Sequence, residues 1–174
     1  MRFFDRFTKR KMSFDVAGGH LLSMAMASLN PFLEVALPEI ANYLDIDLDT
    51  FDINVLRAET MIVCLWAATK SLENDDHRLV NAIHRRFFAA IGDDRRSQLQ
   101  KIFSYRCDKY NEAWDESSGG NQIVLAHYIL SEMFNEGETD KGLYDIFALT
   151  FVIYLVFSTM ETVLKARAKI RLIT

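Results

Sequence analysis

The sequence is poor in the residues that build disulfide-stapled or all-β proteins. Its only two cysteines, Cys64 and Cys107, lie far apart, and neither belongs to a Cys-x-x-Cys pair. A disulfide framework is therefore excluded, and both thiols are predicted to be small buried groups in a reducing compartment. Seven glycines and two prolines among 174 residues are too few for the many tight turns of an all-β protein. These scarcities favour helices.

Motifs of nucleophilic catalysis and of nucleotide binding are also absent. The sequence contains no Gly-x-Ser-x-Gly elbow, no Walker loop and no glycine-rich dinucleotide turn. A cleavage-like Ala25-Met26-Ala27 occurs, but the apolar run before it, 21–24, is too short for a signal peptide. We therefore expect a cytoplasmic location. No motif in the sequence indicates an enzyme.

Hydrophobic residues make up half of the chain and include thirteen phenylalanines. A chain of this length and composition can bury a core, so disorder is excluded. Apolar residues recur at helical spacing between the glycines, which predicts one all-α domain spanning 1–174, a bundle of about five to seven helices. The predicted segments are 20–29, one or two short helices within 31–45, 52–73, 76–91, 94–114, 121–135 and 141–171.

The C-terminal helix contains the longest uncharged run, fifteen residues from 146 to 160. In an α-helix this run covers about 22 Å, less than the ~30 Å hydrocarbon core of a bilayer. We interpret it as the central helix of the bundle, apolar on all sides because neighbours surround it. A transmembrane or re-entrant segment and a β-strand remain alternatives, the latter because Phe, Val, Ile, Tyr and Thr dominate the run.

Charge is distributed unevenly along the chain, although the net charge is only −4. Between residues 13 and 164, eleven basic residues face twenty-three acidic ones, so the body is strongly acidic. Both ends are basic: Arg2, Arg6, Lys9, Arg10 and Lys11 at one, and Lys165, Arg167, Lys169 and Arg171 at the other. An acidic body repels phosphate, so nucleic acid is not expected as a partner, whereas the basic ends could contact an anionic surface.

Residues 1–12 form a basic amphipathic segment if they are helical. At 100° per residue, the basic side chains and the phenylalanines occupy two neighbouring arcs of about 100° each. Such a segment is typical of a helix that contacts a membrane surface or a partner. Docking onto the protein's own core or within an oligomer, and a disordered start, are the alternatives. The contact residues predicted here are Arg2, Phe3, Phe4, Arg6, Phe7, Lys9, Arg10 and Lys11.

Alternating acids near the middle of the N-terminal half resemble two ligand motifs. Asp45-x-Asp47-x-Asp49 starts like a calcium-binding EF-hand loop, but Thr50 and Leu56 stand where Gly and Glu are needed. The same residues could carry a phosphoaspartate only at the end of a buried parallel strand, and none is predicted before them. We therefore expect an acidic loop that caps a helix.

Histidines offer the strongest case for a metal. At helical spacing, Glu73, just before the predicted helix 76–91, shares one face with His77 and His84 of that helix, and His127 could approach from another helix together with Glu132. However, the sequence has no Glu-x-x-His pair of the kind that di-metal bundles use. Two surface histidines beside Arg85 and Arg86, and one half-buried histidine with a backbone hydrogen-bond partner, would explain the pattern without a metal.

Arg106 is the one charge on the cleanest apolar stripe, between Phe103 and Tyr110. An unpaired charge there would be costly, so we predict a structural ion pair. Extension of the side chain to solvent is the alternative. The candidate partners are Glu59, Glu132 and Asp145.

These observations favour a non-enzymatic helical module, without a cofactor, that binds a protein partner or its own copy. Peripheral contact with an anionic membrane is part of this interpretation. The alternative is a helical-bundle metal-binding protein or enzyme that uses Glu73, His77, His84 and His127.

Overall fold

Seven helical segments and two short strands make up the described part of the chain. The computed structural model describes residues 9–116, 122–134 and 146–173. The segment called α2 consists of three consecutive pieces, Leu29–Pro31, the π-helical turn Phe32–Ala36 and Leu37–Leu44. The other elements are β1 (Arg10–Met12), α1 (Phe14–Met26), a 3-10 turn (Leu48–Thr50), α3 (Ile53–Ser71), α4 (His77–Ala89), α5 (Asp93–Glu116), α6 (Ile123–Phe134), α7 (Ile146–Ala168) and β2 (Ile170–Leu172).

Acidic and hydroxyl side chains start these helices. Ser13, Asp52 and Asp76 each accept a hydrogen bond from a backbone N–H in the first turn of α1, α3 and α4, which satisfies a donor that the helix leaves unpaired. Asp45 and Asp47, in the acidic loop before α3, likewise serve to end or cap helical segments. Asp45 ends α2 in the left-handed region at φ 55°, and the Asp47 carboxylate caps the 3-10 turn through the Asp49 N–H at 3.0 Å.

Helices α3 and α7 form the centre of the bundle. α3 contacts every other helix, and its residues 62–68 are all buried. α7 packs against α1, α2, α3 and α6, so the predicted all-α bundle with an apolar C-terminal helix at its centre is confirmed. α7 is not covered on all sides, however, because Phe147, Tyr154 and Phe157 are exposed.

Two helical stretches have the length and hydropathy that a membrane span requires. They are Phe14–Leu44, which joins α1 and α2, and Phe147–Ala168 in α7. The most apolar windows of these stretches are 28% and 44% buried inside the bundle. A central helix of a soluble bundle also meets this criterion of length and hydropathy, but less than half of each window is buried here.

The N-terminal parts of the chain differ from the sequence prediction. The first helix begins at Phe14 instead of residue 20, because Gly18 and Gly19 lie inside it and do not interrupt it. Gly18 is the point where α1 crosses α4: a Cβ there would lie 2.7 Å from the Ala82 Cβ. Residues 121 and 135–145, which contain boundaries of the predicted helices 121–135 and 141–171, lie outside the described residues.

Residues 10–12 form a strand and not the predicted amphipathic helix. β1 pairs in parallel with β2, with Arg10 opposite Ile170 and Lys11 opposite Arg171. Backbone hydrogen bonds from Arg10 N to Lys169 O (2.9 Å) and from Ile173 N to Met12 O (3.0 Å) extend the pairing at both ends. The helix predicted for residues 10–12 was wrong. This strand forms by pairing with residues 170–172, and a pairing between distant residues leaves no pattern in the local sequence.

Candidate functional site

An uncharged, mainly apolar groove lies on the surface between α2 and α7. Ala27 and Ser28 lie near Ser158 and Thr162 at one end, and the rings of Tyr43 and Phe147 stack 5.3 Å apart beyond the other. The two helices therefore run in opposite directions beside each other. The groove has a volume of about 500 Å³, and none of its lining residues is charged.

The walls of this groove expose large apolar side chains to solvent. Tyr154 of α7 is 73% exposed and Val35 of α2 is 66% exposed. Phe147, stacked on Tyr43, continues the apolar surface beyond the groove. From Phe147 to Thr162, α7 rises by about 22 Å, so the surface is a strip rather than a round pocket. Contiguous apolar surface of this kind marks interaction sites.

Charges near the strip are acidic on the α2 side. The sequence has no lysine or arginine from residue 12 to 56, and Glu34 and Glu39 are exposed on α2. On the other side, α7 has no charge between 146 and 160. The strip thus combines exposed aromatic and aliphatic side chains with an acidic flank on α2, and its Thr162 end adjoins a concavity lined by Lys165 and Lys169.

Sequence reasoning did not find this groove. The uncharged run of α7 was assigned entirely to the core, although one side of it is exposed. The available signal was the absence of basic residues from 12 to 56, a range that covers α1 and α2, two of the helices beside α7.

The structure joins the two basic ends of the sequence into one surface. Pairing of β1 with β2 brings Lys9 and Arg10 to the end of α7, where they line a concavity of about 1,020 Å³ with Lys165 and Lys169. Lys11 is exposed on β1 as well. The other predicted contact residues, Arg2, Phe3, Phe4, Arg6 and Phe7, lie outside the described residues.

Arg106 forms the buried ion pair that its position on the apolar stripe predicts. Its Nη2 lies 3.1 Å from Glu59 Oε1 on α3 and 2.7 Å from Glu132 Oε2 on α6, and its Nε donates to Glu59 Oε2 at 3.3 Å. Burial lowers the pKa of Arg106, but the two carboxylates outweigh it and raise the pKa overall. Asp145, the third candidate partner, lies outside the described residues.

Tyr110 lies in the core beside this cluster. The phenol is fully buried, and burial, reinforced by the Glu59 charge, raises its pKa well above the usual value. The hydroxyl has no hydrogen-bond partner within the described ranges. Because the ring stacks edge-on against Trp66 and Tyr128, we assign Tyr110 to core packing.

Three of the four proposed metal ligands line one polar cleft. Glu73, in the turn after α3, and His77 and His84 on α4 lie along a concavity of about 740 Å³ that α3, α4 and α5 line. His127 lies on α6 and is not part of this lining. In ranges 9–116, 122–134 and 146–173, no group of three or more His, Cys, Asp or Glu side chains could hold a metal ion.

His84 is held between aromatic rings. It packs edge-on against Phe88 and Phe103, and burial lowers the pKa of its imidazole. Its Nε2 is buried without a hydrogen-bond partner among the described residues. A neutral histidine packed in this way matches the half-buried histidine that the sequence allows.

Neither cysteine is activated as a nucleophile. Cys64 is buried in α3, and burial raises the pKa of its thiol to about 12. Burial likewise raises the pKa of Cys107 to about 12, with the Asp108 charge adding to the effect. Both thiols are protonated at neutral pH, as expected for small packing groups.

Comparison with known proteins gives no relative. No protein-family model matches the sequence, and neither a curated protein nor a solved structure matches it. The function is therefore inferred from the geometry of the chain's own surfaces.

Proposed function

We propose that the protein is a non-enzymatic interaction module whose α2–α7 groove binds an amphipathic helix of a protein partner. The observation that carries this proposal is the uncharged groove itself, with Val35 and Tyr154 exposed on its two walls. Amphipathic helices bind by laying an apolar face into such grooves. The strip length of about 22 Å corresponds to about four helical turns.

Charge determines which helix fits. The α2 flank carries Glu34 and Glu39, and no basic residue occurs from 12 to 56. A partner with lysine or arginine beside its apolar face gains from this potential, whereas an acidic partner is repelled. A symmetric pair of copies through this face would bring two acidic α2 flanks into one interface, so a basic partner fits better than a second copy.

Two synthetic peptides test the proposal. Both have about four helical turns and leucine at positions i, i+3, i+4 and i+7; one carries lysine and the other glutamate at the remaining positions. We expect the lysine peptide to bind at least about tenfold more tightly by isothermal titration calorimetry, a difference of about 1.4 kcal/mol. Equal affinities would contradict the charge argument.

Matched variants locate the binding site of the peptide. Val35→Gln/Tyr154→Gln removes apolar contacts from both walls of the groove and should abolish binding. Val55→Gln/Val124→Gln changes two exposed valines on α3 and α6 and should leave the affinity unchanged. Binding that survives in the groove variant would place the peptide elsewhere on the acidic body and overturn the proposal.

Two other occupants of the groove give distinct results. If residues 1–8 of the chain cover it, their deletion should strengthen lysine-peptide binding by tenfold or more. If a second copy covers it, the protein should sediment as a dimer that Val35→Gln/Tyr154→Gln converts to a monomer. Either result would replace the proposed partner.

The alternative function, metal binding or catalysis through histidines, has less support. Glu73, His77 and His84 share a cleft, but His127 does not line it, and no metal-holding group occurs in the described ranges. A stoichiometric transition metal in the purified protein, lost in His77→Ala/His84→Ala, would favour the alternative over the interaction module.

A further inference from the structure

The surface at the joined ends of the chain concentrates positive charge on an otherwise acidic protein. Nine of the twenty basic residues lie in 1–12 and 165–171, against one acid there, Asp5. The parallel register of β1 and β2 places Arg10 and Lys11 beside Ile170 and Arg171. We call the surface formed by Lys9, Arg10, Lys11, Lys165, Lys169 and Arg171 the terminal basic surface.

Most of these cations are available to a ligand. Lys9, Arg10, Lys11, Lys169 and Arg171 are exposed and form no ion pair with the rest of the described chain. Lys165 contacts Glu161 at 2.6 Å, but both side chains are about two-thirds exposed, so this pair is weak.

Arg167 is excluded from the terminal basic surface. Its guanidinium binds the Asp75 carboxylate through two bonds of 2.6 and 2.9 Å and donates to Ile170 O at 3.2 Å. The pair fixes the C-terminal end of α7 to the loop after α3. Arg167 therefore orients the other cations but does not contact a ligand.

The shape of the surface fits a broad anion. Its concavity of about 1,020 Å³ is lined by exposed lysine and arginine side chains, and none of the described cations that line it is buried so as to enclose a single phosphate. Apolar side chains are exposed beside the charges, with Leu164 at 48% and Ile173 at 44%. Cations beside exposed apolar side chains suit the headgroup region of a bilayer.

We propose that the terminal basic surface binds the anionic headgroups of a membrane. The acidic body is repelled by such a membrane, so only this end of the bundle approaches the lipids. Each basic residue near an anionic surface strengthens binding by about fivefold. The inference does not depend on the peptide-binding groove, because it uses different charged residues.

Co-sedimentation with vesicles tests this inference on the full chain. We expect binding to phosphatidylcholine vesicles that contain phosphatidylserine and none to pure phosphatidylcholine. Binding should weaken as the ionic strength rises from about 0.1 M to about 1 M, since the Debye length falls from about 10 to about 3 Å. Equal binding to both vesicles would overturn the proposal.

Neutralising variants assign the binding to this surface. Lys165→Gln/Lys169→Gln should reduce vesicle affinity about 25-fold, from about fivefold per residue. Arg95→Gln/Lys101→Gln makes the same charge change on exposed positions of α5 and should bind vesicles with wild-type affinity. Both variants should give the circular dichroism spectrum of the wild type. Equal losses in the two variants would mean that overall charge, not this surface, controls binding.

Three further experiments distinguish a membrane from other anionic ligands and test the role of the N-terminal segment. Millimolar inorganic phosphate should not displace the protein from vesicles, and double-stranded DNA at the same ionic strength should bind far more weakly. Displacement by phosphate, or DNA binding as tight as vesicle binding, would overturn the membrane assignment. In a protein that lacks residues 1–8, Lys165→Gln/Lys169→Gln should still reduce vesicle affinity. If it does not, the N-terminal segment alone contacts the membrane, which would overturn the proposal.

Discussion

Arg106 shows how a single residue can be predicted from its surroundings on a helix. Arg106 lies three residues after Phe103 and four before Tyr110, on the apolar side of its helix. Its charge must therefore find a counterion or reach solvent. It contacts Glu59 and Glu132, and its side chain is only 14% exposed. The choice between these carboxylates required the bundle, because they come from α3 and α6.

Removal of this cation should destabilise the fold. Arg106→Ala leaves two neighbouring carboxylates, one of them buried, without their counterion, and breaking such a pair costs about 3–5 kcal/mol. Lys109→Ala, on the same helix, removes only a surface pair with Glu112 and should cost no more than about 0.5 kcal/mol. Urea denaturation measures both. Equal costs for the two variants would show that Arg106 is solvated in practice.

The histidines show what residue patterns leave open. Helical spacing placed Glu73, His77 and His84 toward one side, and they do line one cleft. The spacing could not show whether His127 would join them, because that depends on how α6 packs. Ligation needs side chains converging within about 2 Å of one metal ion, which sequence spacing does not specify.

At the scale of elements, helical periodicity identified α3, α4 and α5 to within a few residues. Capping residues explain this success, since Asp52 and Asp76 start α3 and α4. The failures lie where a long-range contact overrides a local signal. Gly18 permits the close crossing of α1 and α4, and β1 exists because β2 pairs with it.

The α1–α4 crossing gives a matched pair of glycine variants. Gly18→Ala would place its Cβ 2.7 Å from Ala82 Cβ and 2.8 Å from the Ala82 carbonyl carbon. One of these is backbone, so the helices must separate, at a cost of about 1–3 kcal/mol. Thermal unfolding followed by circular dichroism should show a lower Tm for this variant.

Gly19→Ala is the control for the crossing. Its Cβ would meet only Arg86 Nε, at 3.9 Å, and replacement of a helical glycine by alanine stabilises by about 0.5–1 kcal/mol. The Tm should rise or stay unchanged. A lower Tm for Gly19→Ala, or an unchanged one for Gly18→Ala, would contradict the close crossing.

At the scale of the whole molecule, composition predicted the fold class and charge predicted two basic ends. Neither could predict that the ends meet, or that α7 leaves Phe147, Tyr154 and Phe157 exposed. The exposed side of a central helix depends on how many helices surround it and where they lie. Some residues of the uncharged run 146–160 are therefore buried in the core and others line the groove. Hydrophobicity alone does not show which residues belong to which.

The central claim, a groove that binds a basic amphipathic helix, is tested most directly by backbone amide chemical shifts of the labelled protein during titration with the lysine peptide. We predict saturable shifts concentrated in 27–36 and 147–162, and their loss in Val35→Gln/Tyr154→Gln. Shifts concentrated at the α4–α5 cleft around His77 and His84, or spread over the acidic surface without saturation, would contradict the claim.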